Sequence, residues 1–156
     1  MRQNRIKKFL TAGLSGLLIL SLTGCGQAAK LPETVENTSL VVADLCKEQG
    51  GMPFLTDCNT LYPGSRKNAL EHLNCAQLNG FWPMTTGCQV IIGDGLRGTD
   101  EVEVPVPNGE YCKTAKIGRA IMDADVFISL THFKGHESTG FGGAIKNIGM
   151  GCGSRA

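Results

Sequence analysis

Three short apolar runs, each closing on polar residues, most constrain how this chain can fold. They are "MPFLTDC" at 52–58, "CQVIIGDG" at 88–95 and "DVFISL" at 125–130. Apolar runs of this length, without polar alternation, suit buried strands. Between them the pattern turns helical. Leu40, Val41, Ala43 and Leu45 precede Gly50-Gly51, which predicts a helix stopped by glycine. Ser65 stands where it can cap a second helix, with Ala69, Leu70, Leu73 and Ala76 on one face and Asn79-Gly80 as its stop. Gly118 to Ala124 predicts a third, shorter one. Alternating strands and helices imply an α/β fold: a partly parallel open sheet with flanking helices. One β-hairpin is added, because Val102, Val104 and Val106 alternate with Glu101, Glu103 and Pro105 before Pro107-Asn108-Gly109 turns the chain back. Its wet face predicts a place at a sheet edge.

In open α/β sheets, ligands bind beyond the carboxyl ends of the strands. Three such ends carry polar residues here: Thr56-Asp57-Cys58-Asn59, Asp94, and Thr131-His132. The third opens the glycine-rich stretch "THFKGHESTGFGGAIKNIGMGCG" at 131–153. His132 and His136 have the spacing of helical metal ligands, but Gly135 breaks a helix and Phe133 stands where a zinc protease needs glutamate. As loop residues they form a candidate metal set with Asp57 and Cys58, the alternative being two hydrogen-bonded structural histidines. Gly140-Phe141-Gly142-Gly143 leads into "AIKNIGM", which can open a helix. The free N–H groups there attract anions, and Lys134 and Lys146 add charge. Close packing of backbone on a strand would account for the same glycines. Ile145 excludes the dinucleotide fingerprint, and no Gly-Lys-Ser/Thr follows for a P-loop.

The amino end has a different character. Arg2, Arg5, Lys7 and Lys8 precede an apolar stretch from Phe9 to Leu22, short for a membrane span, and the pattern fits a secretory signal. Leu22-Thr23-Gly24-Cys25 resembles the lipobox of bacterial lipoproteins. That resemblance implies cleavage before Cys25 and a diacylglycerol carried on its thiol, with palmitate among the lipid's acyl groups. The expected organisation is a signal peptide at 1–24, outside the fold, an acylated Cys25 with a polar tether at 25–39, and the domain from 40 to 156. The expected place is extracytoplasmic, on the cell membrane or outer membrane, with lipid as the partner. An ordinary cleaved signal or an uncleaved anchor are the alternatives. Four of 15 basic residues would leave with the peptide and none of the 14 acids, so 11 against 14 gives a net charge of −3. Nucleic-acid binding has no electrostatic support.

Beyond Cys25 the cysteines are Cys46, Cys58, Cys75, Cys88, Cys112 and Cys152, with at least 11 residues between neighbours. No C-x-x-C occurs, so neither a ferredoxin run nor a zinc ribbon is present. No iron–sulfur cluster is expected in this chain. Cys58 and Cys152 are placed where they could approach, but two thiols do not complete a cluster site.

"LTDCNTLYPGSRKNALEHL", "IIGDGLRGTD" and "AIMDADVFISLTHFKGHESTGFGGAIKNIGMGCGSR" together resemble the domain of unknown function 362, a group often labelled iron–sulfur centre proteins. The resemblance spans roughly residues 40–156. It implies a redox or metal-linked role, since many full-length relatives carry a following module with 4Fe-4S clusters. It places Asp57, Asn59, His132, Lys134, His136, Gly142, Gly143, Lys146 and Asn147 as candidate site residues. Members have a further strand before the part matching Leu40 and continue beyond the part matching Arg155, so an incomplete domain is expected here. The implied function is a membrane-anchored envelope lipoprotein carrying part of an iron–sulfur-associated or redox-associated domain, its reaction unknown and an electron-transfer partner possible. The alternatives are a non-catalytic envelope module that binds a small anion or a partner, with Lys134, Gly140, Gly142, Gly143, Lys146 and Asn147 as its loop, or a non-functional fragment.

Overall fold

A computed structural model describes residues 16–20 by their backbone and residues 38–156 in full. Cys25, the tether to residue 37 and the rest of the leader lie outside the described residues. The chain is α/β, as its pattern of runs predicts.

The elements follow as β1 (Gly16–Leu20), α1 (Thr38–Glu48), β2 (Phe54–Asp57), α2 (Ala69–Leu78), α3 (Pro83–Thr86) and β3 (Gln89–Ile92). Then come β4 (Glu101–Pro105), β5 (Thr114–Gly118), α4 (Arg119–Met122), β6 (Val126–Leu130), β7 (Lys134–His136), β8 (Gly140–Gly142) and α5 (Ala144–Cys152). Four strands form one parallel sheet in the order β3-β2-β1-β6. The three apolar runs are thus β2, β3 and β6. Ala43 of α1, Leu55 of β2 and Cys88 form the main core, joined by Val42, Phe81, Val90, Ile128 and Leu130.

Four features differ from the sequence reading. The apolar leader, expected to stay outside the fold, supplies β1 between β2 and β6. "GLLIL" is an unbroken apolar run, and that is also the composition of a parallel strand covered on both faces. Second, α2 is capped by Asn68 rather than Ser65: Asn68 Oδ1 accepts from the amides of Leu70 and Glu71, each at 3.1 Å. The later start turns the buried face to Ala69, His72 and Ala76 and leaves Leu70 66% exposed. Third, the β4–β5 hairpin is a separate two-stranded sheet rather than an edge of the main one. Its wet side carries the Lys116–Glu101 ion pair at 2.7 Å. Finally, the glycine-rich stretch contains its own hairpin, β7 paired antiparallel with β8. No helix among the described residues is long and apolar enough to cross a membrane.

Candidate functional site

The carboxyl ends of β2 and β3 lie side by side, and the chain places acids at both. Asp94, fully buried, follows β3 and reaches across to the residue after Cys58. Its Oδ1 accepts from the Asn59 amide at 2.9 Å and from Asn59 Nδ2 at 2.8 Å, while Oδ2 accepts from the Arg155 amide at 3.0 Å. Asn59 Nδ2 also donates to the Gly95 carbonyl at 2.9 Å. The carboxylate therefore ties the end of β2 to the turn after β3 and to the last residues of the chain. Gly98 makes room for that tail: its φ is +76°, and a Cβ there would meet the Arg155 side chain at 2.5 Å.

Asp57 forms a second node. Its Oδ1 accepts from the Cys58 amide at 3.1 Å and its Oδ2 from Arg66 Nη1 at 3.0 Å. The same Oδ2 stands 3.5 Å from Nε2 of His72, a contact that becomes an ion pair only when the imidazole is protonated. It lacks hydrogen-bond geometry, so both ring nitrogens of this fully buried histidine are without a hydrogen-bond partner, as is Thr56 Oγ1. His72 and Thr56 line one cavity with Leu55, Asp57, Ala76, Phe81, Val90 and Ile92. Its ≈ 20 Å³ open to water centres is about the room one water needs.

Cys58 sits beneath these nodes. Its thiol donates to the Cys152 carbonyl at 3.4 Å, so the two cysteines expected to approach do adjoin. Burial, with Asp94 and Asp57 nearby, pushes the Cys58 thiol far up from the ordinary range. Burial raises Cys152 to about 11. Burial thus favours the thiol over the thiolate at both positions, and a thiol is the weaker nucleophile. The slot is tight: a Cβ on Gly118 would lie 2.7 Å from Cys58 Sγ and 2.7 Å from the Gly93 carbonyl. Gly118→Ala is expected to destabilise by about 1–3 kcal/mol through overpacking, read as a lowered urea midpoint. An unchanged midpoint would show that the slot relaxes freely.

The candidate metal residues stand as follows. Asp57 and Cys58 are together at the end of β2, where Asp57 Oδ1 accepts from the Cys58 amide and Oδ2 from Arg66. His132 is exposed in the loop after β6, and His136 is on β7 with Nδ1 accepting from the Ser138 and Thr139 amides, each at 3.2 Å. Among the described residues, no three His, Cys, Asp or Glu side chains gather as a metal site.

The glycine-rich candidates come closer together. Gly140 opens β8 at φ +70°, and the rings of Phe133 and Phe141 meet at a tilt of 59° with centroids 4.7 Å apart. Gly142 and Gly143 are buried, and α5 starts at Gly143 with no side-chain cap. A Cβ on Gly142 would lie 3.6 Å from Lys134 Cγ and 3.7 Å from Lys146 Cδ, so both lysine stems flank that one glycine. Asn147, one turn in, is buried with Nδ2 lacking a hydrogen-bond partner. Sequence reading missed Arg66, His72 and Arg155 as site-forming residues. His72 had left one signal, a titratable side chain spaced three after Ala69 and four before Ala76 on an apolar face.

A family model described as Domain of unknown function (DUF362) matches residues 30–156. No curated protein and no solved structure matches the chain.

Proposed function

The chain belongs to the DUF362 family, and from that premise we propose that it is a membrane-anchored extracytoplasmic module that binds a small oxyanion at the amino end of α5. The observation that carries this is the convergence of the Lys134 and Lys146 stems on Gly142 beside an uncapped helix start. An uncapped helix start presents unpaired N–H groups and a partial positive charge. Glycine at 142 lets an anion approach the backbone between the two lysine stems, while the Phe141 ring covers Gly143, and lysine supplies a point charge. Titration of the purified full-length chain with inorganic phosphate and with sulfate, followed by calorimetry, tests the reading. Saturable binding near a Kd of about 1 mM is expected, weakened about fivefold in Lys146→Ala because one such charge contributes about 1 kcal/mol. Binding that is absent, or equal in both chains, would overturn it.

Anchoring rests on the basic amino end and the Leu22-Thr23-Gly24-Cys25 sequence. Labelled palmitate should enter the native chain and not Cys25→Ala, and label retained in that variant counts against a lipid on Cys25. A redox-linked reading has one supporting contact, the Cys58–Cys152 neighbourhood. Anaerobic reconstitution with iron and sulfide decides it, since an absorbing cluster lost in Cys58→Ser would favour redox chemistry over anion binding.

A further inference from the structure

The main sheet is complete only because residues of the leader lie in it. β1 pairs with β2 in the register Leu17↔Phe54, Leu18↔Leu55 and Ile19↔Thr56. On its other side it pairs with β6 from Gly16↔Val126 to Leu20↔Leu130. Neighbouring strands stand about 4.8 Å apart, which puts β2 and β6 about 10 Å from each other across β1. No backbone hydrogen bond spans that distance. Remove β1, and the facing N–H and C=O groups of both strands lose their partners along the middle of the sheet.

The same residues lie inside the apolar stretch that reads as the core of a secretory signal. A peptidase cutting before Cys25 would take Gly16–Leu20 away with the peptide. A continuous apolar segment satisfies either environment, a lipid bilayer or a sheet covered on both faces, but not both at once.

We propose that the gap between β2 and β6 is a strand-acceptor site whose ligand is the chain's own leader segment Gly16–Leu20, bound parallel to both neighbours. Completing the sheet and processing the leader then draw on the same five residues. The leader acts as an internal strand donor that holds β2 and β6 together for as long as it stays attached. A chain cut before Cys25 carries an open slot, complementary to a parallel, extended, apolar peptide. Recognition is mostly main-chain hydrogen bonding, as in other cases of strand addition. The site is distinct from the amino end of α5, so anion binding and strand acceptance can fail separately.

Amide hydrogen exchange, read by mass spectrometry, tests this on the full-length chain with Cys25→Ala, which keeps the leader attached. Amides 16–20 are expected to exchange on the order of 100-fold slower than an unstructured segment. Leu18→Pro removes a ladder donor in the middle of β1 and should speed exchange in both 54–57 and 126–130, whereas Leu10→Pro should leave both alone. Adding a synthetic peptide of residues 12–24 to a chain beginning at Cys25 should restore protection in those two strands. Unprotected exchange of 16–20 in the attached chain overturns the proposal, as does protection of 54–57 and 126–130 that is indifferent to Leu18→Pro or to the peptide. Should both proline variants fail to fold, the exchange rate of 16–20 in the chain without proline decides alone. Phosphate titration of the same samples shows whether the α5 site survives independently.

Discussion

Asp94→Ala should destabilise the fold by about 3–5 kcal/mol, the range for removing one partner from a buried, charge-assisted cluster. Three donors converge on this carboxylate, two of them the backbone amides of Asn59 and Arg155. Alanine leaves those amides facing a cavity where a fully buried carboxylate had been. Asp94→Asn is the informative companion. One oxygen can still accept from Asn59, but the new amide nitrogen must face either the Arg155 amide or the Asn59 donors, so donor meets donor. A loss about half that of alanine is expected. Urea unfolding measures both: at a slope of about 1–3 kcal/mol/M, alanine should lower the midpoint by about 2 M. A loss below about 1 kcal/mol would mean that water replaces the carboxylate, and the node would then be decoration rather than a tie between β2, β3 and the tail.

That node explains how much of the site could be read in advance. The positions were legible: Asp57, Asn59 and Asp94 were placed at strand ends by run length and polarity alone, and the strands end there. Their partners were not, because Asp94 reaches Arg155 across 61 residues and local periodicity carries no information about such a contact. The same limit hid the approach to Asp57 of His72, which on the sequence is only one more side chain of a helix. Ser65 was a sound cap by residue type, yet Asn68 won because its oxygen serves two amides and the Ala69 amide is taken by the Leu96 carbonyl at 2.9 Å, fixing where α2 starts. β1 shows a deeper ambiguity. "GLLIL" has the apolar continuity of a signal core and of a doubly covered strand, and only the vacancy between β2 and β6 distinguishes them. That vacancy is defined by strands far apart in the chain, so no window of sequence displays it.

The thiols give the second large effect, through pH. Cys152 is raised from an ordinary 9.0 to about 11 by burial, and Cys58 is raised further in the same direction. Below pH 9 both thiols keep their protons in the folded and the unfolded chain alike, and the stability is fully present. Between pH 9 and 11 the unfolded chain releases the Cys152 proton while the folded chain retains it, so unfolding gains and stability falls. Two pKa units correspond to about 3 kcal/mol for Cys152 alone, at about 1.4 kcal/mol per unit. Cys58 adds to the loss, because its folded value lies higher still. Above pH 11 the Cys152 contribution stops growing, since its proton then leaves both states. Other groups titrate in this range too, so the measurement is a difference: urea midpoints in reductant from pH 8 to 11.5 for the native chain and for Cys58→Ala/Cys152→Ala. The double variant should be weaker at pH 8, having lost buried contacts, yet its midpoint should decline less steeply, and the two curves should converge by about 3 kcal/mol or more. Parallel curves would sink the idea, because they would mean that both sulfurs reach water easily in the folded chain. They would then ionise in the ordinary thiol range, and the Cys58–Cys152 pair would be open to thiolate chemistry at alkaline pH.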